Sequence, residues 1–231
     1  MLELAPNGYE IVERAREIEL AAYVDAEGAE ALRAAFGSVR VEPLAAGWEE
    51  AWKAFHRPVV VGPLWIGPPW ETPAPDKTAV AIDPGRAFGT GAHETTRLSL
   101  ELLLELPRGS LLDVGCGSGV LAIAAAKLGF APVRAIDVER AAVEETLRNA
   151  RANGVDIDVE RAHPLIDPVP RTDVAVANIL LPAVEALAPL LEAALLVTSG
   201  YFRDERPQLA GYVHRGRREG ERWAADLFAA G

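Results

Sequence analysis

From about Thr78 onward, short, mostly apolar runs alternate with longer patterns of helical period. "LLDV" (111–114), "VRAID" (133–137), "IDVE" (157–160), "DVAVAN" (173–178) and "ALLVTSG" (194–200) predict strands in succession. Between them, "GVLAIAAAKLG" (119–129) predicts a helix with Gly129 at its end. "RAAVEETLRNARANG" (140–154) predicts another, stopped by Asn153-Gly154, and a helix with Pro182 near its start follows the fourth strand. Strands alternating with helices imply βαβ units and a mostly parallel, doubly wound α/β sheet. In such sheets ligands sit beyond the carboxyl ends of the strands.

The first third of the chain has a different texture. Residues 1–46 read as a small α/β piece. "YEIVERAREIELAAYV" predicts a pair of strands, "AEGAEALRAAF" a short helix closed by Gly37, and "SVRVEPL" a strand. "AAGWEEAWKAFHRP" predicts a helix ending before Pro58, with Trp48 and Trp52 four apart and packing it. "VVVGPLWIGPPWETPAPDK" is extended and rich in proline, as linkers and edge strands are. The expected organisation is an N-terminal piece over 1–46, a linker over 47–77 and a main domain over 78–231.

Composition narrows the classes. The 231 residues carry a net charge of −11 and a pI of about 4.9. A surface that acidic argues against binding a phosphate backbone, and it suits a soluble enzyme or a basic partner. Cys116 is the single cysteine, so no intrachain disulfide forms, as expected in a reducing cytosol. "MLELAPNGYE" lacks the basic start and apolar core of a signal peptide, and no run of 18 apolar residues occurs. The expectation is a cytoplasmic protein that meets no membrane and no nucleic acid.

The candidate chemistry lies at the strand ends. The first strand runs into "DVGCGSG", Asp113 to Gly119. Glycines at 115, 117 and 119 let backbone touch a ligand while the next helix presents its N-terminal amides. The spacing is GxGxG, not the GxGxxG of dinucleotide sites. Asp137 ends the second strand, where a carboxylate accepts ribose hydroxyls; the alternative is a helix N-cap. No Walker lysine or arginine clamp for a pyrophosphate is evident. S-adenosylmethionine, which has a ribose and an amino-acid tail but no phosphate, therefore fits the turn and Asp137. Asn178 ends the fourth strand in "ANIL" and either orients an amine or N-caps the next helix. His93 is a base or a structural hydrogen-bonder. Cys116 reads as merely small, and the basic run "HRGRREGER" (214–222) as a solvated turn or hairpin. No metal site is expected.

With these residues identified, "DPGRAFGTGAHETTRLSLELL", "LLDVGCGSGVLAIAAAKLG", "AIDVERAAVEETLRNARANG" and "VAVANIL" closely resemble, in order and spacing, the bacterial PrmA family. These are the methyltransferases of large-subunit ribosomal protein eleven. "GWEEAWKAFHRP" resembles the family's interdomain linker, and the likeness covers about residues 47–200. It implies a Rossmann-like class I methyltransferase domain behind a small substrate-recruiting domain. Thr96, Gly115, Asp137 and Asn178 match cofactor-contacting positions of the family. The segment Phe88–Thr96 would fold over S-adenosylmethionine, with the backbone of Gly89 and Thr90 close to it, Phe88 covering an apolar face and Thr96 placing a hydroxyl. Gly117 and Gly119 complete the cradle. The implied acceptor is a lysine or α-amino group of a basic ribosomal protein, with Asn178 aiming the nitrogen.

Two departures from the family stand out. Against the family pattern the N-terminal piece is expected to be shorter, without an opening strand and helix, and the Pro-Gly-Gly turn expected before the fifth strand is absent from "LLEAALLVTSG". An irregular far sheet edge is expected. The competing readings are a methyltransferase for another amine, a non-catalytic cofactor-binding module and, more distantly, a nicotinamide-dependent oxidoreductase. A base-amino methyltransferase would carry Asn-Pro-Pro-aromatic where this chain reads Asn178-Ile179-Leu180-Leu181.

Overall fold

The computed structural model describes residues 9–14, 17–22, 24, 26–37, 39–41, 56–83 and 91–231. The chain divides into two compact units, Met1–Trp52 and Lys53–Gly231.

In the first unit, β1 (Tyr9–Arg14) and β2 (Glu17–Ala22) pair antiparallel, with Tyr9 opposite Ala22 and Arg14 opposite Glu17. Helix α1 (Ala26–Phe36) follows, with Glu27 in its first turn and Arg33 in its last, each on the favourable end of the helix dipole. Gly37 closes the helix at φ 75°, and its N–H donates to the Arg33 carbonyl at 2.9 Å. The strand expected over Ser38–Leu44 does not form at residues 39–41. They pair with no other strand, and Val41 is exposed. The helix expected before Pro58, with Trp48 and Trp52, lies outside the described residues except for 56–58, which are not helical.

The second unit begins earlier than the sequence pattern implies. The segment expected as a linker forms a three-stranded sheet of β3 (Val59–Val61), β4 (Leu64–Gly67) and β5 (Thr78–Ala81). β3 and β4 form a hairpin around Gly62-Pro63, β4 and β5 run parallel, and the proline-rich stretch is only their connection. Leu64, Trp65 and Ile66 are buried, which is why this segment belongs to the core and not to a tether.

The main sheet has seven strands. They are β6 (Leu111–Val114), β7 (Val133–Asp137), β8 (Asp158–Arg161), β9 (Thr172–Asn178), β10 (Ala193–Phe202), β11 (Tyr212–Glu219) and β12 (Trp223–Ala230), in the order β11-β12-β10-β9-β6-β7-β8. β12 runs antiparallel to both neighbours, and the other pairs are parallel. The apolar runs are continuous because both faces are covered. Leu111, Val174, Val176 and Val197 pack on one side, and Leu112, Ala175, Ala177 and Leu196 on the other.

Five α-helices are described. Besides α1 these are α2 (Glu94–Glu105), α3 (Val120–Lys127), α4 (Arg140–Asn153) and α5 (Leu181–Leu187). In α3, Val120 to Ala125 are all buried, and its alanines let it pack closely between the main sheet and the small one. The far edge is irregular, with register shifts at Ser199/Tyr201 and His214/Gly216. Even so, all its strands are present. The basic run 214–222 forms part of β11 and the turn into β12.

Candidate active site

β6 and β9 are adjacent, and the chain winds outward from them in opposite directions. The crevice at their carboxyl ends is therefore the topological switch point of the sheet. The sequence-predicted glycine turn, Asp137 and Asn178 all lie along that edge.

The glycine turn leaves β6 with φ 74°, 55° and 82° at Gly115, Gly117 and Gly119. At Gly115 a side chain is excluded twice over. The φ is left-handed, and a Cβ would stand 2.6 Å from Ile179 Cγ2 beside the end of β9. The Gly115 and Cys116 N–H groups donate to the Ile136 carbonyl at 2.9 and 3.1 Å, lashing the turn to β7. Asp137 fastens it from the same strand. Its Oδ2 accepts the Gly117 N–H at 3.0 Å and its Oδ1 accepts the Glu139 N–H at 2.9 Å. The N-cap of α4 is Glu139, so Asp137 does not hold that position. Each of its oxygens keeps a lone pair for a ligand hydroxyl.

Asp113 lies beneath the turn, fully buried, its Oδ2 accepting the Ala122 N–H at the start of α3 at 3.1 Å. Burial pushes its carboxyl up to about 7; the Ala122 bond opposes this and the neighbouring Asp137 charge adds to it. Cys116 is also buried, and desolvation together with the Asp113 charge pushes its thiol up to about 12. An unionised thiol there is an inert small side chain, as expected.

Helix α4 supplies residues that sequence reasoning missed. Thr146 Oγ1 donates to the Gly117 carbonyl at 3.0 Å, and Asn149 Nδ2 to the Ser118 carbonyl at 2.9 Å. Asn149 Oδ1 also accepts the Asp83 N–H at 3.2 Å, and Asn153 bonds both the N–H and the carbonyl of Ala81. One face of α4 thus clamps the glycine turn to the chain that enters the segment holding Phe88, Gly89 and Thr90. Those three residues lie outside the described ones. The available signal was a row of polar residues at positions 146, 149 and 153, one helical face on an element with a buried side.

At the end of β9, Asn178 Nδ2 donates to Thr96 Oγ1 at 3.4 Å, and Thr96 is buried in the first turn of α2. These two predicted residues, 82 positions apart, meet directly. Asn178 does not cap α5, whose N-cap is Leu180. His93 is the N-cap of α2. Its Nδ1 accepts the Thr95 N–H at 3.3 Å and lies 2.8 Å from Thr95 Oγ1, and its ring stands edge-on to Trp223. Burial lowers its pKa, with Glu94 opposing. Of the two readings of His93, the structural one fits these bonds.

The strand order with a single antiparallel strand, the glycine turn after the first strand of the main sheet and polar side chains at the ends of the second and fourth define a class I methyltransferase fold. Comparison with known proteins agrees and goes further. The profile of the family described as ribosomal protein L11 methyltransferase (PrmA) matches residues 14–214. A protein of that name from Caldicellulosiruptor saccharolyticus is 39% identical over 166 residues, 68% of this chain and 55% of its own length. Another from Pelobacter propionicus is 42% identical over 205 residues, 78% of this chain and 66% of its own. The crystal structure of a ribosomal protein L11 methylase from Lactobacillus delbrueckii subsp. bulgaricus superposes with a TM-score of 0.66 at 30% identity, covering 73% of this chain and 95% of that one. The chain belongs to the ribosomal protein L11 methyltransferase (PrmA) family. It spans less than two thirds of the length of these curated relatives.

Proposed function

We propose that this chain transfers methyl groups from S-adenosylmethionine to amino groups of ribosomal protein L11. The observation that carries the reading is the placement of Asn178, held by Thr96 at the switch point next to the glycine turn and Asp137. The residues present fit the cofactor. Asp137 offers acceptor oxygens to two ribose hydroxyls, and the side-chain-free turn admits a zwitterionic tail to backbone contact. Phe88, Gly89 and Thr90 would close over it.

The bound cofactor supplies an electrophilic methyl group on a sulfonium. The protein's own part is to bind, orient and exclude water. An acceptor lysine must be neutral, which costs about 4–5 kcal/mol at pH 7 for a free side chain. A positive charge already in the site lowers that cost by disfavouring a second cation. Asn178 Oδ1 accepts one amine hydrogen and turns the nitrogen lone pair toward the methyl group. Most of the rate then comes from positioning. The net charge of −11 favours encounter with a basic ribosomal protein, so kcat/KM falls as salt rises. Such a substrate places the enzyme in the cytoplasm. Among the described residues no helix is long and apolar enough to cross a membrane.

The test is the intact mass of free L11 after incubation with enzyme and S-adenosylmethionine. Gains in steps of one methyl group, lost with Asp137→Ala, support enzyme, cofactor and acceptor together. No gain while the cofactor still binds by calorimetry would move the search to another amine or to a non-catalytic role.

A further inference from the structure

We propose that Glu94 is a positioning residue for the acceptor side of the site, acting through the turn between β11 and β12. The inference rests on the methyl-transfer reading above. Glu94 opens α2, the helix that brings Thr96 to Asn178. Its carboxylate reaches the far end of the chain. Oε1 accepts the Glu221 N–H at 2.7 Å, and Oε2 accepts the N–H groups of Arg222 at 3.1 Å and Trp223 at 3.2 Å. Three successive backbone donors thus converge on one anion, an arrangement that favours a carboxylate over any neutral side chain. Some desolvation pushes the Glu94 carboxyl up, but these three bonds and Arg97 outweigh it and hold it below its ordinary value. The turn closes on the carboxylate because residue 220 is glycine; a Cβ there would stand 2.1 Å from Glu94 Oε1.

The turn places aromatic side chains. Trp223 meets the His93 ring edge-on at 5.1 Å and stacks on Phe202 at 4.8 Å. Phe202 lies on β10 just beyond Ser199, which faces Asn178 across the β9–β10 ladder. The glycine turn and Asp137 commit the β6–β7 side of the crevice to the cofactor. The β9–β10–β12 side is left for the acceptor chain on its way to Asn178. Glu221 and Arg222 are exposed, so little apolar packing holds the turn. A second contact from the same helix, Glu105 with Arg218 of β11, steadies the hairpin further along. α2 therefore both brings Thr96 to Asn178 and, through Glu94, fastens the turn that leads into Trp223.

Glu94→Gln retains one acceptor oxygen and opposes the remaining donors with an amide NH2. The expected result is a KM for L11 raised about tenfold, with kcat and the S-adenosylmethionine Kd within about twofold of the wild type. In a Trp223→Ala background the same substitution adds no further rise, because both act through one element. Should Glu94→Gln not fold, Gly220→Ala displaces the carboxylate from the other side and is expected to raise KM in the same way. An unchanged KM, or effects of Glu94→Gln and Trp223→Ala that simply multiply, would overturn the proposal. Amide hydrogen exchange decides the hold on the turn without any acceptor. Exchange at residues 221–223 is expected to quicken in Glu94→Gln while residues 96–100 keep their protection, and unchanged exchange at 221–223 would overturn the proposal equally. Wild-type enzyme that leaves L11 unmethylated would instead contradict the proposed function.

Discussion

The two halves of the main sheet are held in different ways. In the β6–β7–α4 half, side chains hold the backbone of a glycine turn and of the chain leading to it. Asp137 reaches Gly117, 20 residues away, and Asp113 reaches Ala122, 9 away. In the β10–β11–β12 half, buried side chains also bond one another. Glu94 bonds residues 127 to 129 positions away, and buried Asp226 accepts from the Tyr201 hydroxyl, 25 positions away, at 2.9 Å. Asp226 also lies 2.7 Å from His214 Nε2 and 3.7 Å from Arg217. The first half is a compact motif in which Gly115 and Gly119 leave no room for a side chain. The second is a polar network whose parts depend on one another.

That contrast is tested most severely by Asp226→Ala. Removing the shared carboxylate strips buried Tyr201 of one hydrogen bond and Arg217 of its buried ion partner, and the expected loss is about 3–5 kcal/mol in urea unfolding. A loss below about 1 kcal/mol would show that apolar packing, not the network, holds the far half.

Asp113 tests the near half through pH. Its carboxyl is raised from an ordinary 3.8 to about 7 in the folded chain. The native state therefore keeps a proton that the unfolded chain releases above about pH 4. Its contribution to stability is full below that pH, falls as pH rises to about 7 and is flat beyond. The span is about 4 kcal/mol. Asp113→Asn keeps an acceptor for Ala122 and removes the slope, so the variant gains on the wild type as pH rises from 5 to 7.5. Parallel stability profiles would place the carboxyl in its ordinary range.

Gly200 joins the halves. At φ 99°, a Cβ would stand 2.3 Å from the Ile179 carbonyl oxygen, so Gly200→Ala is expected to cost about 2–4 kcal/mol and to shift Asn178 enough to slow turnover. The smallest effect belongs to the exposed Arg140–Glu144 pair on α4. Arg140→Ala is expected to change stability by no more than about 0.5 kcal/mol and to leave cofactor affinity alone.

The same contrast decides what could be read from the sequence. The apolar positions of "LLDV", "VRAID" and "DVAVAN" are buried against both faces of the sheet, so their strands were plain. Asp137 and Asn178 stand at strand ends, and the motif around them is local. Thr96 came from family resemblance, and its bond to Asn178 spans 82 residues that no period encodes. Neither Glu94 nor Asp226 carries a local sign of its partners, which lie 127 to 129 and 25 positions away. The proline-rich 59–77 stretch was read as linker because prolines mask the short apolar strands Val59–Val61 and Leu64–Gly67 beside them. The strand expected at Ser38–Leu44 failed at 39–41 because a strand needs a partner, and propensity says nothing of one.

In the proposed function the near half binds the cofactor and Asn178 aims the acceptor. Asn178→Ala, assayed for L11 methylation and for S-adenosylmethionine binding by calorimetry, tests it directly. Turnover is expected to fall by about a hundredfold, with cofactor Kd raised by less than about tenfold. Wild-type turnover in that variant would contradict it.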